Sequence, residues 1–242
     1  MSGKTAQDLN VLSSVGAVGK DRSADRDVFY VYEMPVRLWH WVNAAAIVVL
    51  AITGYFIGTA VPTMPGEASD NFFFGYIRFA HFSAGYVLTV GFLLRIYWAM
   101  MGNPHAKQIF YVPIWRRCFW DELWQTIRWY ALLAVRSEKC AGHNPAAQLM
   151  MFSMFTLTTA FMIVTGFALY AQGSGQESWQ FRLFGWIFGV LPNSQDVHTL
   201  HHLGLWVIVT FVLIHVYAAI REDIMSRRSI SAIISGERDL RD

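Results

Sequence analysis

Charge is scarce in this chain. Asp, Glu, Lys and Arg make up 15% of its 242 residues, against about 25% in soluble domains. Cysteine is nearly absent: Cys118 and Cys140 are too few for a disulfide framework or a Cys-ligated cluster, and no Cys-x-x-Cys-His run offers covalent haem attachment. Lys and Arg form no tract dense enough for nucleic acid, and the formal net charge is only +2. The first 27 residues lack an apolar run of signal-peptide length, so the first long hydrophobic stretch is expected to double as the insertion signal.

What the chain has instead is apolar length. Hydrophobic residues make up 55% of it, with 18 Phe and 10 Trp. A helix needs about 20 mostly apolar residues to cross a bilayer. Residues 38–58, 79–101, 146–171 and 197–220 qualify. The fold class is therefore an all-α integral membrane protein built on a four-helix transmembrane bundle. Polar tails are expected at 1–30 and 227–242, around a membrane domain at 31–226.

Orientation follows from Lys and Arg. Five precede the first span, six lie between the second and third, and five follow the fourth. The opposite loops offer only Arg78 and Arg182. The positive-inside rule places both termini in the cytoplasm. Between the second and third spans, residues 114–135 repeat apolar side chains at helical spacing with Arg116, Arg117, Asp121 and Arg128 between them. This is a helix lying on the cytoplasmic membrane surface or one packed on the end of the bundle.

Ionisable residues inside a membrane are rare and usually have a task. Of eight histidines, His143 and His105 fall in the middle loop, and six lie in or beside spans. One such histidine alone is equally well a hydrogen bond between helices; the arrangement of four is more specific. His40 opens the first span and His215 closes the fourth, so both sit at the cytoplasmic level. His81 opens the second span and His201 opens the fourth, so both sit at the outer level. Each pair joins two helices at one depth, as clamping a haem iron from both faces requires. His201 and His215 are 14 residues apart, which is about 40° short of four full turns and a rise of about 21 Å. His202 and His198 fall about 140° and 100° from His215 on the helical wheel and are expected to face an interface or a partner.

Bare-metal transport sites favour carboxylates beside histidine and open coordination. Within the predicted spans the only carboxylate lies near the edge of the fourth, at Asp196. Two neutral imidazoles instead fill both axial positions of a haem, and without a c-type motif the group is haem b, two per chain. Arg37, Arg78 and Arg221 lie near the histidine levels, as propionate partners or as flanking-charge anchors. Gly85 and Gly204 fall close to His81 and His201 and are expected to clear space on the ligand-bearing face. The ends of the first and third spans echo each other: Thr53-Gly54-Tyr55 and Thr165-Gly166-Phe167. Such small residues admit either a neighbouring helix or a flat cofactor.

Several longer runs carry a family resemblance. They are 36–41 (Val-Arg-Leu-Trp-His-Trp), 52–58 (Ile-Thr-Gly-Tyr-Phe-Ile-Gly), 75–85 from Gly75 through His81 to Gly85, and 94–99 (Leu-Arg-Ile-Tyr-Trp-Ala). Further runs are 142–145 (Gly-His-Asn-Pro), 165–170, 215–217 and 221–225 (Arg-Glu-Asp-Ile-Met). The chain resembles the cytochrome b subunit of membrane-bound, uptake-type nickel–iron hydrogenases and, more distantly, the gamma subunit of formate dehydrogenase. The resemblance spans about 30–226. It implies an electron-transfer subunit in the bacterial inner membrane with no stand-alone catalysis apart from quinone reduction. Its implied partners are the hydrogenase small subunit, with its large subunit, on the outer face, and a membrane quinone. It implies one haem on His81 and His201 and a second on His40 and His215, the same pairs that depth gives. It places quinone near the inner haem, with Asn144 the candidate contact and His143 a weaker one. Asn144 before Pro145 is equally a helix N-cap. A formate-dehydrogenase or other quinone-linked cytochrome b shares this haem logic; a transporter or plain membrane anchor does not.

The charge asymmetry has a direct check. A fluorescent protein that matures only in the cytoplasm, fused after Asp242, is expected to fluoresce. A dark fusion expressed at full length would reverse the orientation.

Overall fold

A computed structural model describes residues 28–59, 71–102, 104–107, 109–133, 145–226 and 229–239. Four of its helices are long and apolar enough to cross a membrane: α1 (Met34–Gly58), α2 (Phe73–Met101), α4 (Pro145–Ser174) and α7 (Ser194–Ser226). Between them lie α3 (Arg117–Tyr130), α5 (Trp179–Phe184) and α6 (Ile187–Val190). A short helix α8 (Ser229–Ser235) follows α7. The spans outrun the apolar runs read from sequence by up to about two turns at their ends, because polar residues continue a helix that hydropathy alone cannot extend.

The ends have local causes. A proline opens α1 at Pro35 and α4 at Pro145, where a missing N–H costs nothing. Gly175, at φ 88°, ends α4 in the left-handed region that glycine tolerates. Asp196 sits in the first turn of α7, where negative charge suits the helix dipole.

The four spans form two antiparallel hairpins. One is α1 against α2; the other is α4 against α7 and α5. The hairpins meet through α1 and α7 and through aromatic contacts between α2 and α4, Phe82 with Tyr170 and Tyr86 with Phe167. Large side chains such as Leu93, Leu94 and Leu213, each at least 60% exposed, face outward. On membrane-spanning helices that outer surface is the lipid-facing one, since hydrocarbon is as apolar as leucine. Ala168 and Val197 are fully buried and pack with Ile187 where α4, α6 and α7 meet.

The middle-loop helix is α3, shorter than the 114–135 run. Its Phe119 and Leu123 pack with Val112 against Ala146, Leu149 and Phe152 at the start of α4. Trp120 and Trp124 on its other side are exposed. One face of α3 is therefore packed on the bundle end, as the second of the two sequence readings has it.

Two features escaped the sequence. The residues placed in polar tails include strands β1 (Val28–Tyr30) and β2 (Glu237–Asp239), which pair antiparallel with Phe29 opposite Arg238. An Arg37 side chain donates to the Ile234 carbonyl beside them. Both ends of the described chain are thereby fastened at one end of the bundle. Inside α4, Met151–Leu157 forms a π-helical stretch, the kind of irregularity that often marks a functional site.

Ala168→Leu adds three carbons where α4 has no exposed surface. It is expected to cost about 1–3 kcal/mol, read as a lower unfolding midpoint in detergent. An unchanged midpoint would contradict this packing.

Candidate functional site

The structure sets His40 against His215 at one end of the bundle and His81 and His201 on one cavity at the other. At the end that carries β1 and β2, His40 of α1 faces His215 of α7, with ring centroids 6.3 Å apart and planes at 51°. Two imidazoles bound to one metal atom through nitrogens about 2 Å away have ring centres about 6 Å apart. The separation therefore suits a single iron between them. Phe211 stacks on His215 at 5.5 Å and 17°. Phe155, from the π-helical stretch, lies 5.4 Å from Phe211 and 5.9 Å from Trp39. The irregular turn of α4 thus supplies an aromatic wall behind this pair.

At the opposite end, His81 of α2 and His201 of α7 line one cavity of about 720 Å³. That is within the usual range for cofactor pockets, about 300–1,000 Å³. All four spans contribute to it, through Gly54, His81, Gly166 and His201 among others. Gly85 lines it too, and a Cβ there would meet nothing within 4 Å. This glycine clears space as expected.

Each histidine of this second pair has a threonine behind it. Thr53 Oγ1 lies 2.9 Å from His81 Nδ1, and Thr165 Oγ1 lies 2.8 Å from His201 Nδ1. Beside each threonine a glycine admits the ring. A Cβ on Gly54 would stand 3.2 Å from His81 Cε1, and one on Gly166 would stand 3.1 Å from His201 Cε1. The Thr-Gly echo in the sequence is therefore a repeated histidine seat.

Other expectations fare differently. His198 and His202 line the same cavity as His201, although the helical wheel sets their Cα positions apart from the His201–His215 face. A ring reaches further around its helix than its Cα angle implies. Gly204 packs against Met162 of α4, so it serves a helix contact and clears no cofactor space. Arg78 lines the cavity. Arg37 is engaged with Ile234; Arg221 donates to the Trp129 carbonyl at 2.7 Å and lies over that ring at 4.5 Å. Asn144 and His143 lie outside the described residues.

Arg95 is the residue whose role the sequence hid. It showed only as a charge toward the end of the second span, yet it is 3% exposed. Its guanidinium lies 5.4 Å from the Trp39 ring and 5.7 Å from the Phe110 ring. Such stacking is worth about 0.5–2 kcal/mol, less than the several kcal/mol that burying an ion costs. Its Nε and Nη1, with the Nε1 of Trp39 and the Nδ1 of His40, are buried without a hydrogen-bond partner among the described residues. These donors call for an oxygen acceptor near the His40–His215 pair. Among the described residues no three His, Cys, Asp or Glu side chains converge as a bare metal ion would require.

Comparison with known proteins agrees with the geometry. Residues 31–236 match the family described as prokaryotic cytochrome b561. The chain is 62% identical over 223 residues to a probable Ni/Fe-hydrogenase B-type cytochrome subunit of Bradyrhizobium diazoefficiens, covering 92% of this chain and 90% of that one. It is 56% identical to the protein of that name in Azotobacter vinelandii, covering 93% and 94%. It is 49% identical to a probable Ni/Fe-hydrogenase 1 B-type cytochrome subunit of Escherichia coli K12, covering 86% and 90%. With paired histidines at two levels of a four-span bundle and a match across most of its length, the chain belongs to the prokaryotic cytochrome b561 family.

Proposed function

We propose that this chain is the di-haem cytochrome b subunit of a membrane-bound nickel–iron hydrogenase, taking electrons from the iron–sulfur chain of the small subunit and delivering them to membrane quinone. The observation that carries the reading is the pairing of His40 with His215 and of His81 with His201 at opposite ends of one bundle. Its relatives' names supply the hydrogenase.

The residues fit the group. At one end, His81 and His201 from different helices line a cavity that holds no carboxylate among its described lining residues; at the other, His40 and His215 face each other at 6.3 Å. Haem b held there supplies one-electron redox chemistry. His40, His215, His81 and His201 would hold its iron, and the aromatic residues around His215 would keep water out. Arg37, Arg95 and Arg221 keep N–H donors free at the His40–His215 end; these suit propionate carboxylates or a quinone oxygen. Asn144 and His143 are proposed quinone contacts on the resemblance.

The chain sits in the bacterial inner membrane with both termini in the cytoplasm. The hydrogenase docks at the His81–His201 end, on the outer face. His201 and His215 stand about 21 Å apart along one helix, which spreads the two sites across most of the hydrocarbon core. If quinone takes its protons from the cytoplasm, each electron that crosses works against the membrane potential, at about 2.3 kcal/mol per 100 mV.

His81→Ala and His201→Ala are each expected to remove one haem and abolish hydrogen-dependent quinone reduction in membranes. His40→Ala and His215→Ala are expected to remove the other haem, with the same loss. Full haem content and full quinone reduction in all four variants would overturn the assignment.

A further inference from the structure

The two Thr-Gly seats do more than fill space. Thr53 Oγ1 lies 2.6 Å from the Val49 carbonyl oxygen, and Thr165 Oγ1 lies 2.8 Å from the Phe161 carbonyl oxygen. Each carbonyl belongs to the residue four earlier in the same helix, the usual target of a helical threonine hydroxyl. Two oxygens this close repel unless a hydrogen lies between them. The only hydrogen able to lie there is the hydroxyl's own. Each hydroxyl therefore donates to its helix, and only its lone pairs are left to face the neighbouring imidazole.

At 2.9 and 2.8 Å the contacts to His81 Nδ1 and His201 Nδ1 are hydrogen bonds, so the imidazole must supply the proton. In a neutral ring one nitrogen is N–H and the other a bare acceptor. A proton held on Nδ1 leaves the lone pair on Nε2. His40 lacks this device: its Nδ1 is buried without a partner among the described residues.

We propose that Thr53 and Thr165 are positioning residues that fix the proton of His81 and His201 on Nδ1, present Nε2 as the iron ligand, and lower the reduction potential of that one haem. Gly54 and Gly166 let each ring come close enough to make the bond. This inference rests on the haem reading above. The chemistry gives the sign. An Nδ1–H that donates to oxygen leaves the ring richer in electrons, and a richer ligand favours ferric iron. Hydrogen bonds of this kind orient metal-bound histidines and raise their basicity. The hydroxyl is a neutral acceptor, so its influence is smaller than a carboxylate's. The arrangement occurs once in each hairpin and serves both ligands of one site, which makes the two sites chemically unequal.

The test uses the full chain in membranes with Thr53→Val and Thr165→Val, which keep the side-chain shape and remove the hydroxyl, and with Thr53→Ser and Thr165→Ser, which keep it. Haem content, the midpoint potential of each haem and the low-spin ferric electron paramagnetic resonance signal are read together. In the valine variants the potential of one haem is expected to rise, by about threefold to tenfold in its reduced-to-oxidised ratio. The tenfold limit is about 59 mV for a one-electron couple. The same haem's resonance signal should shift, the other haem should stay unchanged, and serine should restore both values. Retained haem with neither potential moved, or both potentials moved equally, would overturn the proposal. If valine instead expels a haem, its return with serine supports the proposal and its continued loss with serine overturns it. Absence of haem from the unsubstituted chain would refute the functional reading itself, a result distinct from all of these.

Discussion

A polar group inside hydrocarbon has no water to turn to, and everything around the four histidines answers to that constraint. Each imidazole needs one nitrogen matched to a partner and the other left free for a ligand. At the His81–His201 end, threonines of the preceding spans provide the match at 2.9 and 2.8 Å. At the His40–His215 end, the rings face each other at 6.3 Å with aromatic residues behind them. Unpaired polar groups cost about 1–3 kcal/mol each when buried. Helix placement that satisfies two of them, at His81 and His201, is correspondingly well determined.

The hairpin organisation follows from the same need. Thr53 meets His81 within the first hairpin, and Thr165 meets His201 within the second. Each hairpin carries its own histidine to one shared cavity. Beside that cavity the hairpins meet through Phe82 and Tyr86 of α2 and Phe167 and Tyr170 of α4, and they are joined elsewhere by α1 and α7. The other pair bridges α1 and α7 directly. The π-helical turn of α4 belongs to this end: it brings Phe155 to Phe211 and Trp39.

The spans were legible because hydropathy is a sum over many residues and tolerates local error. The histidine pairs were legible because depth along a straight helix is fixed by a constant rise, so sequence position alone sets each level. What stayed hidden depends on neighbours that no local pattern encodes. The β1–β2 pairing joins residues about 210 positions apart. The π-helical stretch leaves no composition mark. That His202 lines the cavity was not legible, because the wheel fixes Cα angles and not ring reach. Gly204 was assigned to the cavity because proximity in sequence to His201 says nothing of Met162. Arg95 carried no assigned role in the sequence, because the Trp39 and Phe110 rings that stand beside it come from distant segments. The Thr-Gly echo was visible, but its meaning needed the histidine opposite.

The central claim is that the two imidazole pairs hold two haems. Its most direct measurement is the pyridine haemochrome content of the purified complex, expressed per copy of this chain and read with a reduced-minus-oxidised visible spectrum. Two haems b per chain are expected. None, in freshly extracted membranes as in the purified complex, would contradict the account.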